Sequence, residues 1–423
     1  MKNIRILFLT VSLLVTCGVP FSMAQGLKKL PADSKIVTGT FPNGMNYYVV
    51  SNPAEKGFAD FALVYRHSAD AGDYVDVSRK ILSDRGRLQN RSLQKFLSSN
   101  AVAPTVKGYA ECSDDAVTFR FKDVMLSRSA ALADSLLLAV FGIADELSAN
   151  AVTTKDSLHF PLENMAVIVS GDVNGKDMVS KMGIFSLMTP RNSVLRDSTR
   201  VYSASEEPVR PAKVSVDKLD GGVCRIASSF YFPRIPAELM PTPQFAVIDK
   251  MSDTFRFIAE NRLRDALNSA AIPFAEVESD HLSSADVSGF ESISLSFCVL
   301  QKDADAAMKC FGEVLGSLDR GEMDVNDIVL SSQLYGEKCL GTSARSVKNS
   351  EYVRLCSASF LRDAPLSTGA QLCEFCQSRV LPDTLQLRLM KTFSDALLSP
   401  DDSCSAFCAG WNDGKMVRGH SLD

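Results

Sequence analysis

Phe41-Pro42-Asn43-Gly44-Met45-Asn46-Tyr47-Tyr48-Val49-Val50 sets an Asn-Gly pair between β-prone residues, with Ile36-Val37 just upstream. Asn and Gly tolerate the positive φ angles that a tight hairpin demands, so this stretch predicts the hairpin that opens a sheet. The residues that follow continue the sheet. Ala59, Phe61, Leu63 and Tyr65 alternate with Asp60, Ala62, Val64 and Arg66, which predicts a strand with one buried face. The same period recurs where Val117, Phe119 and Phe121 alternate with Thr118, Arg120 and Lys122. The period then becomes helical: Leu132, Leu136, Ala139, Val140 and Ile143 fall on one side of a helix ending near Leu147. Met165-Ala166-Val167-Ile168-Val169 then runs without alternation into Ser170-Gly171-Asp172, as a fully buried strand does.

The second half repeats this order. A strand from Cys224 to Phe232 precedes a long helix, about Phe245 to Leu267. A strand in which Ile293, Leu295 and Phe297 alternate with Ser294 and Ser296 leads into a helix from Asp303 to Leu318. The tail carries helical patterns around Asp327 to Leu340, Glu351 to Leu361 and Leu385 to Leu397. Glu206-Glu207-Pro208-Val209-Arg210-Pro211 reads as the linker between the halves. The fold class expected is therefore α+β: two homologous domains, 25–207 and 208–423, each an antiparallel sheet with helices on one face.

Residues 1–24 have the layout of a cleavable secretory signal: Lys2 and Arg5, the apolar run Ile6 to Val15, then Ser22-Met23-Ala24 before Gln25. That run is shorter than the roughly 20 residues that span a bilayer, and no later stretch is long and apolar enough to do so. The mature chain is expected to be periplasmic or secreted. A lipid on Cys17 is disfavoured because Leu14-Val15-Thr16 lacks the small residue wanted before a lipidated cysteine. The 423 residues, with 46% apolar and 22% charged content, suit an ordinary globular protein, and a net charge of -5 offers no basic field for nucleic acid. Ten of the eleven cysteines would remain after cleavage, an even number that permits disulfides outside the cytosol. Cys373 and Cys376, with Cys404 and Cys408, have spacings that a four-thiolate zinc site would accept. Their neighbours Leu372, Phe375, Phe407 and Ala409 instead mark packed helix faces, where cysteine serves as a small apolar residue.

The segments Phe41 to Val50 and Glu163-Asn164-Met165-Ala166-Val167-Ile168-Val169-Ser170-Gly171-Asp172-Val173 resemble two strands of the insulinase–pitrilysin (M16) family of zinc peptidases. Asn261-Arg262-Leu263-Arg264, followed by Ile272-Pro273-Phe274, is similar to that family's second-domain helix and the strand after it. The resemblance spans nearly the whole mature chain and implies a fold like that of the mitochondrial processing peptidases.

It also implies a zinc site on an inverted H-x-x-E-H helix between the Tyr65 and Val117 strands, and here the sequence departs from the family. Ser78-Arg79-Lys80-Ile81-Leu82-Ser83-Asp84-Arg85 contains no histidine, and Lys80, Ser83 and Asp84 stand where the first histidine, the glutamate and the second histidine are expected. A cation repels zinc, serine is a poor base, and one aspartate makes no site. The histidines His67, His159, His281 and His420 offer no pair on one helical turn. His159 reads as a loop histidine, and Asp114-Asp115 as a turn pair. Asp145 and Glu146 are the nearest carboxylates to the family's later glutamate. Arg264 could match the arginine that holds a scissile carbonyl, but Phe274 stands near the place of its tyrosine partner. The expectation is a pseudo-peptidase with no cofactor. It would pair with an active subunit of the family or with a second copy of itself, and hold extended peptides at a sheet edge. The alternatives are a residual metal-dependent endopeptidase built on Asp84, Asp145 or Glu146, and an envelope structural or assembly protein.

Overall fold

The computed structural model describes residues 29–66, 93–100, 102, 109–112, 116–129, 131–150, 161–189, 213–233, 235, 239–282, 290–378 and 381–398. Among them, the residues from Leu30 to Ser203 and from Arg345 to Thr368 form one compact unit. Those from Ala204 to Ala344 and from Gly369 onward form the other.

The first unit is built on strands β1 (Ile36–Thr40), β2 (Asn46–Ser51), β3 (Phe58–Arg66), β4 (Ala110–Cys112), β5 (Ala116–Met125) and β6 (Met165–Gly171), ordered β1-β2-β6-β3-β5-β4. The opening hairpin forms as its Asn-Gly pair predicts. Gly44 has φ +95°, and the Phe41 N–H donates to the Met45 carbonyl at 2.8 Å. Asn43 is buried and serves a second purpose. Its amide donates at 3.0 Å to the carbonyls of both Ser186 and Thr189, at the C-terminal end of helix α3 (Gly175–Ser186), where the last carbonyls have no partner within the helix.

Helices α1 (Leu93–Ser99) and α2 (Leu132–Asn150) join α3 over one face of this sheet. Leu97, Leu136, Val140, Ile143, Met178 and Met182 share a core with Val49, Phe61, Leu63, Tyr65, Phe119, Phe121, Val167 and Val169. The opposite face is covered too. Helix α7 (Asn349–Arg362), although it lies in the second half of the sequence, lays Tyr352, Val353, Cys356 and Phe360 on Tyr48, Val50, Ala62, Val64, Ala166 and Ile168.

This packing corrects three details of the expected architecture. The sheet is mixed, because β2 and β6 run parallel. It carries helices on both faces. Strand β3 is buried on both faces rather than one, so Ala62 and Val64 are as enclosed as Phe61 and Leu63. The linear division at 207/208 likewise misses one segment, since Arg345–Thr368 packs with the first unit.

The second unit has four antiparallel strands, β7 (Lys213–Leu219), β8 (Val223–Pro233), β9 (Phe274–Leu282) and β10 (Phe290–Leu300), ordered β7-β8-β10-β9. Helices α4 (Pro243–Ser269), α5 (Ala304–Asp319), α6 (Val325–Ala344), α8 (Gly369–Gln377) and α9 (Asp383–Leu398) complete it. Its core is aromatic: the rings of Phe255 and Phe230 lie 6.5 Å apart, those of Phe255 and Phe393 6.1 Å, and those of Phe297 and Phe311 5.4 Å. Cys373 of α8 is disulfide-bonded to Cys339 of α6, which corrects its reading as a free buried cysteine; Cys376 is free and buried as expected. Cys404, Cys408 and the linker 206–211 lie outside the described residues.

Candidate functional site

The window 78–85, with Lys80, Ser83 and Asp84, lies outside the described residues, as do His67, His159, His420 and Asp114-Asp115. The donor set of that window can still be tested by its chemistry. Zinc in a hydrolytic site wants neutral imidazoles and a carboxylate around an open position, whereas this window offers lysine, arginines, serines and one aspartate. Zinc does not fit these residues, and no catalytic step is derived through it. Among the described residues no group of three or more His, Cys, Asp or Glu is placed to hold a metal ion. Asp145 and Glu146 sit half-buried on α2, each with an interaction partner. His281, on β9 in the second unit, faces Asp249 of α4 at 3.8 Å.

Arg264 is placed by α4 one turn after Glu260, which it meets at 3.5 Å. Its guanidinium also donates to the Val277 carbonyl at 2.6 Å, and Arg256, two turns earlier, donates to the Ser279 carbonyl at 2.6 Å. In a strand, carbonyls two residues apart point the same way. Since β10 pairs with the other side of β9, the two arginines occupy the outward acceptors of an edge strand. A bulge prepares this arrangement: the β9–β10 register shifts between Ser296 and Cys298, and Glu276 takes a φ of 54°. Arg264 thus holds a carbonyl, but one of its own chain. Of the two arginines, Arg256 escaped the sequence reading, and the bulge that aims both carbonyls has no sequence signal beyond ordinary strand patterning.

A cleft of about 550 Å³ lies beside this edge, lined by Arg225, Glu260, Glu278, Ser279, Asp280 and Ser296 among others. Arg225 donates to the Ser296 hydroxyl at 3.1 Å and meets Glu278 at 3.8 Å. With three carboxylates to one guanidinium, this lining favours cationic and hydrogen-bond-donating groups over anions.

The first unit contains a buried carboxylate whose titration is strongly displaced. Asp60, on the α7 side of β3, is 1% exposed. Burial pushes its pKa up to about 6, against the Asp123 N–H donated to it at 2.9 Å and the Arg120 guanidinium 3.8 Å away. Arg120 also donates to the Ser350 carbonyl of α7 at 3.1 Å. The ends of α7 are met by complementary charges from the sheet side: Glu55 accepts the Asn349 N–H, while Arg66 donates to the Phe360 carbonyl and lies 4.9 Å from the Phe360 ring centre. Asn52 bridges to Asn349 at 2.8 Å and to the Val347 carbonyl at 3.0 Å. A perturbed carboxylate often marks catalysis, but here Arg120, Glu55, Arg66 and Asn52 all make contacts that seat α7 on the sheet.

No protein-family model matches the sequence, and no curated protein matches it. Solved structures do match. The periplasmic protease PqqL from Escherichia coli is similar at a TM-score of 0.66 and 10% identity over 94% of this chain and 52% of that one. A predicted insulinase family protease from Yersinia pestis is similar at 0.63 and 11%, over 92% of this chain and 100% of that one. The peptidase M16 inactive domain from Pseudomonas fluorescens is similar at 0.55 and 10%, over 86% and 95%. The chain spans about half the length of the PqqL chain. These likenesses, with the two α+β sheet units, give this chain the fold of the insulinase–pitrilysin (M16) peptidases.

Proposed function

We propose that this chain is an exported, non-catalytic protein of the peptidase M16 fold that serves as the peptide-holding half of a peptidase chamber, together with an active subunit or a second copy. One feature of the sequence carries the reading: by the family resemblance, Lys80, Ser83 and Asp84 correspond to the His, Glu and His of the zinc motif. The inactive M16 domain among the similar structures supports it by analogy. Export is supported by the signal-like residues 1–24 and by the Cys339–Cys373 disulfide, a bond that oxidising compartments preserve. No helix among the described residues is long and apolar enough to cross a membrane. An extended peptide would add to an outer strand. The β9 edge is closed by Arg256 and Arg264, which leaves β1, β4 and β7 as the outer strands to consider.

The test uses the mature chain from Gln25. Zinc content after purification, hydrolysis of a mixed peptide library, and cross-linked companions from the native envelope are measured together. The reading expects substoichiometric zinc, no cleavage above the buffer blank, and recovery with a zinc-motif subunit or with itself. Metal-dependent cleavage abolished by Asp84→Ala would replace it with the residual-hydrolase reading.

A further inference from the structure

The chain leaves the second unit after Ala344, gives Arg345–Thr368 to the first, and resumes in the second at Gly369. Cys339 lies near the end of α6 and Cys373 near the start of α8, on either side of this excursion. Their disulfide, with a sequence separation of 34 and Cα atoms 5.5 Å apart, closes a ring of chain whose middle is α7. Helix α8 has nine residues, too few to persist alone in water, and its buried residues are Cys373 and Cys376. Cys376 packs on α4, its Sγ 3.4 Å from the Ala246 carbonyl. One of the two buried anchors of α8 is therefore covalent.

We propose that Cys339–Cys373 is a redox-sensitive staple for the α7 arm: oxidised, it holds both roots of the arm side by side, and reduced, it lets α7 leave its sheet more readily. The reason is entropic. An undocked arm within a closed ring has fewer conformations than one with a free root, so closing the ring disfavours undocking. The proposal does not depend on the peptidase-chamber reading.

Reduction by a dithiol balances simply. One thiolate of the reagent attacks a sulfur of the bridge and expels the other as thiolate; the second closes the reagent's own disulfide. The reagent loses two electrons and two protons, and Cys339 and Cys373 end as thiols. Both residues are buried, at 1% and 5% exposure, so the reagent gains access through local openings of α6 and α8.

Amide hydrogen exchange is measured on the full chain, oxidised and then reduced with dithiothreitol and alkylated, after peptide mapping of the thiols. We expect exchange across Tyr352–Phe360 to quicken about tenfold or more on reduction, with α5 and β10 unchanged. Cys339→Ser/Cys373→Ser should match the reduced chain and Cys376→Ser the oxidised one; if the double variant does not fold, the reduced wild type still decides. Equal α7 exchange in both states, quickening spread evenly over the second unit, or free Cys339 and Cys373 in the oxidised chain would each overturn the proposal.

Discussion

Replacing Asp60 by asparagine should stabilise the protein at neutral pH and do little for it at pH 4. Asp60 is raised from 3.8 to about 6 by burial, which outweighs the Asp123 N–H and Arg120. A folded pKa above the unfolded one means that the native state binds the proton more tightly. Stability from this group is thus complete below pH 4, declines as pH rises through 4 to 6, and is level above. Two pKa units at about 1.4 kcal/mol each put the loss near 3 kcal/mol. The substituted amide cannot ionise and can still accept the Asp123 N–H, while its NH₂ takes the place of the Oδ2 that lies 3.8 Å from Arg120. The advantage of Asp60→Asn over wild type should therefore grow by about 3 kcal/mol between pH 4 and pH 7.5, whatever its value at pH 4. Urea unfolding followed by circular dichroism at half-unit pH steps measures it. A pH-independent difference would mean that Asp60 titrates like a surface carboxylate. A difference of opposite slope would mean that Arg120 outweighs burial.

Phe360→Ala removes the largest apolar anchor near the C-terminal end of α7 and the ring under Arg66; a loss of about 3–5 kcal/mol is expected in the same urea assay, with β3 and β6 amides losing protection. Asn43→Ala leaves the Ser186 and Thr189 carbonyls without this donor and should cost about 2–3 kcal/mol, while Asn43→Ser should recover little because a hydroxyl has one donor. Arg264→Ala should cost about 1–2 kcal/mol and free the Val277 carbonyl, so sedimentation velocity should detect more self-association than in wild type. Unchanged sedimentation would mean that Arg256 alone is enough to close the β9 edge.

How far the sequence reaches depends on the range of the interaction being read. The Asn43-Gly44 hairpin, the unbroken Met165–Val169 strand and the helices around Phe255 and Phe311 are set by local patterns, and the structure reproduces them within a few residues. The second buried face of β3 is not local: Ala62 and Val64 are covered by residues such as Phe360, and Arg66 reaches that residue across 294 positions. Alternation of Ala59, Phe61, Leu63 and Tyr65 with Asp60, Ala62, Val64 and Arg66 therefore reads as one-sided. Pairing of Cys373 with Cys339 was hidden for the same reason, since the nearer Cys376 offered a more conspicuous spacing. The reading of Lys80, Ser83 and Asp84 as departures from H-x-x-E-H rests on residue chemistry and the family resemblance, and that window lies outside the described residues. The capping of β9 is not legible in the sequence, as the bulge at Glu276 decides where the Val277 carbonyl points.

The position of α7 in the sequence has a consequence for how the protein is made. All six strands of the first sheet are complete by Gly171, but the helix that covers one of its faces begins at Asn349. During synthesis, a nascent chain that folded as it emerged would carry Val50, Val64 and Ile168 on an uncovered sheet until the second unit had largely followed. Truncated chains ending before Arg345 should then aggregate or be degraded, and the interval before α7 arrives is when a chaperone has the most to bind.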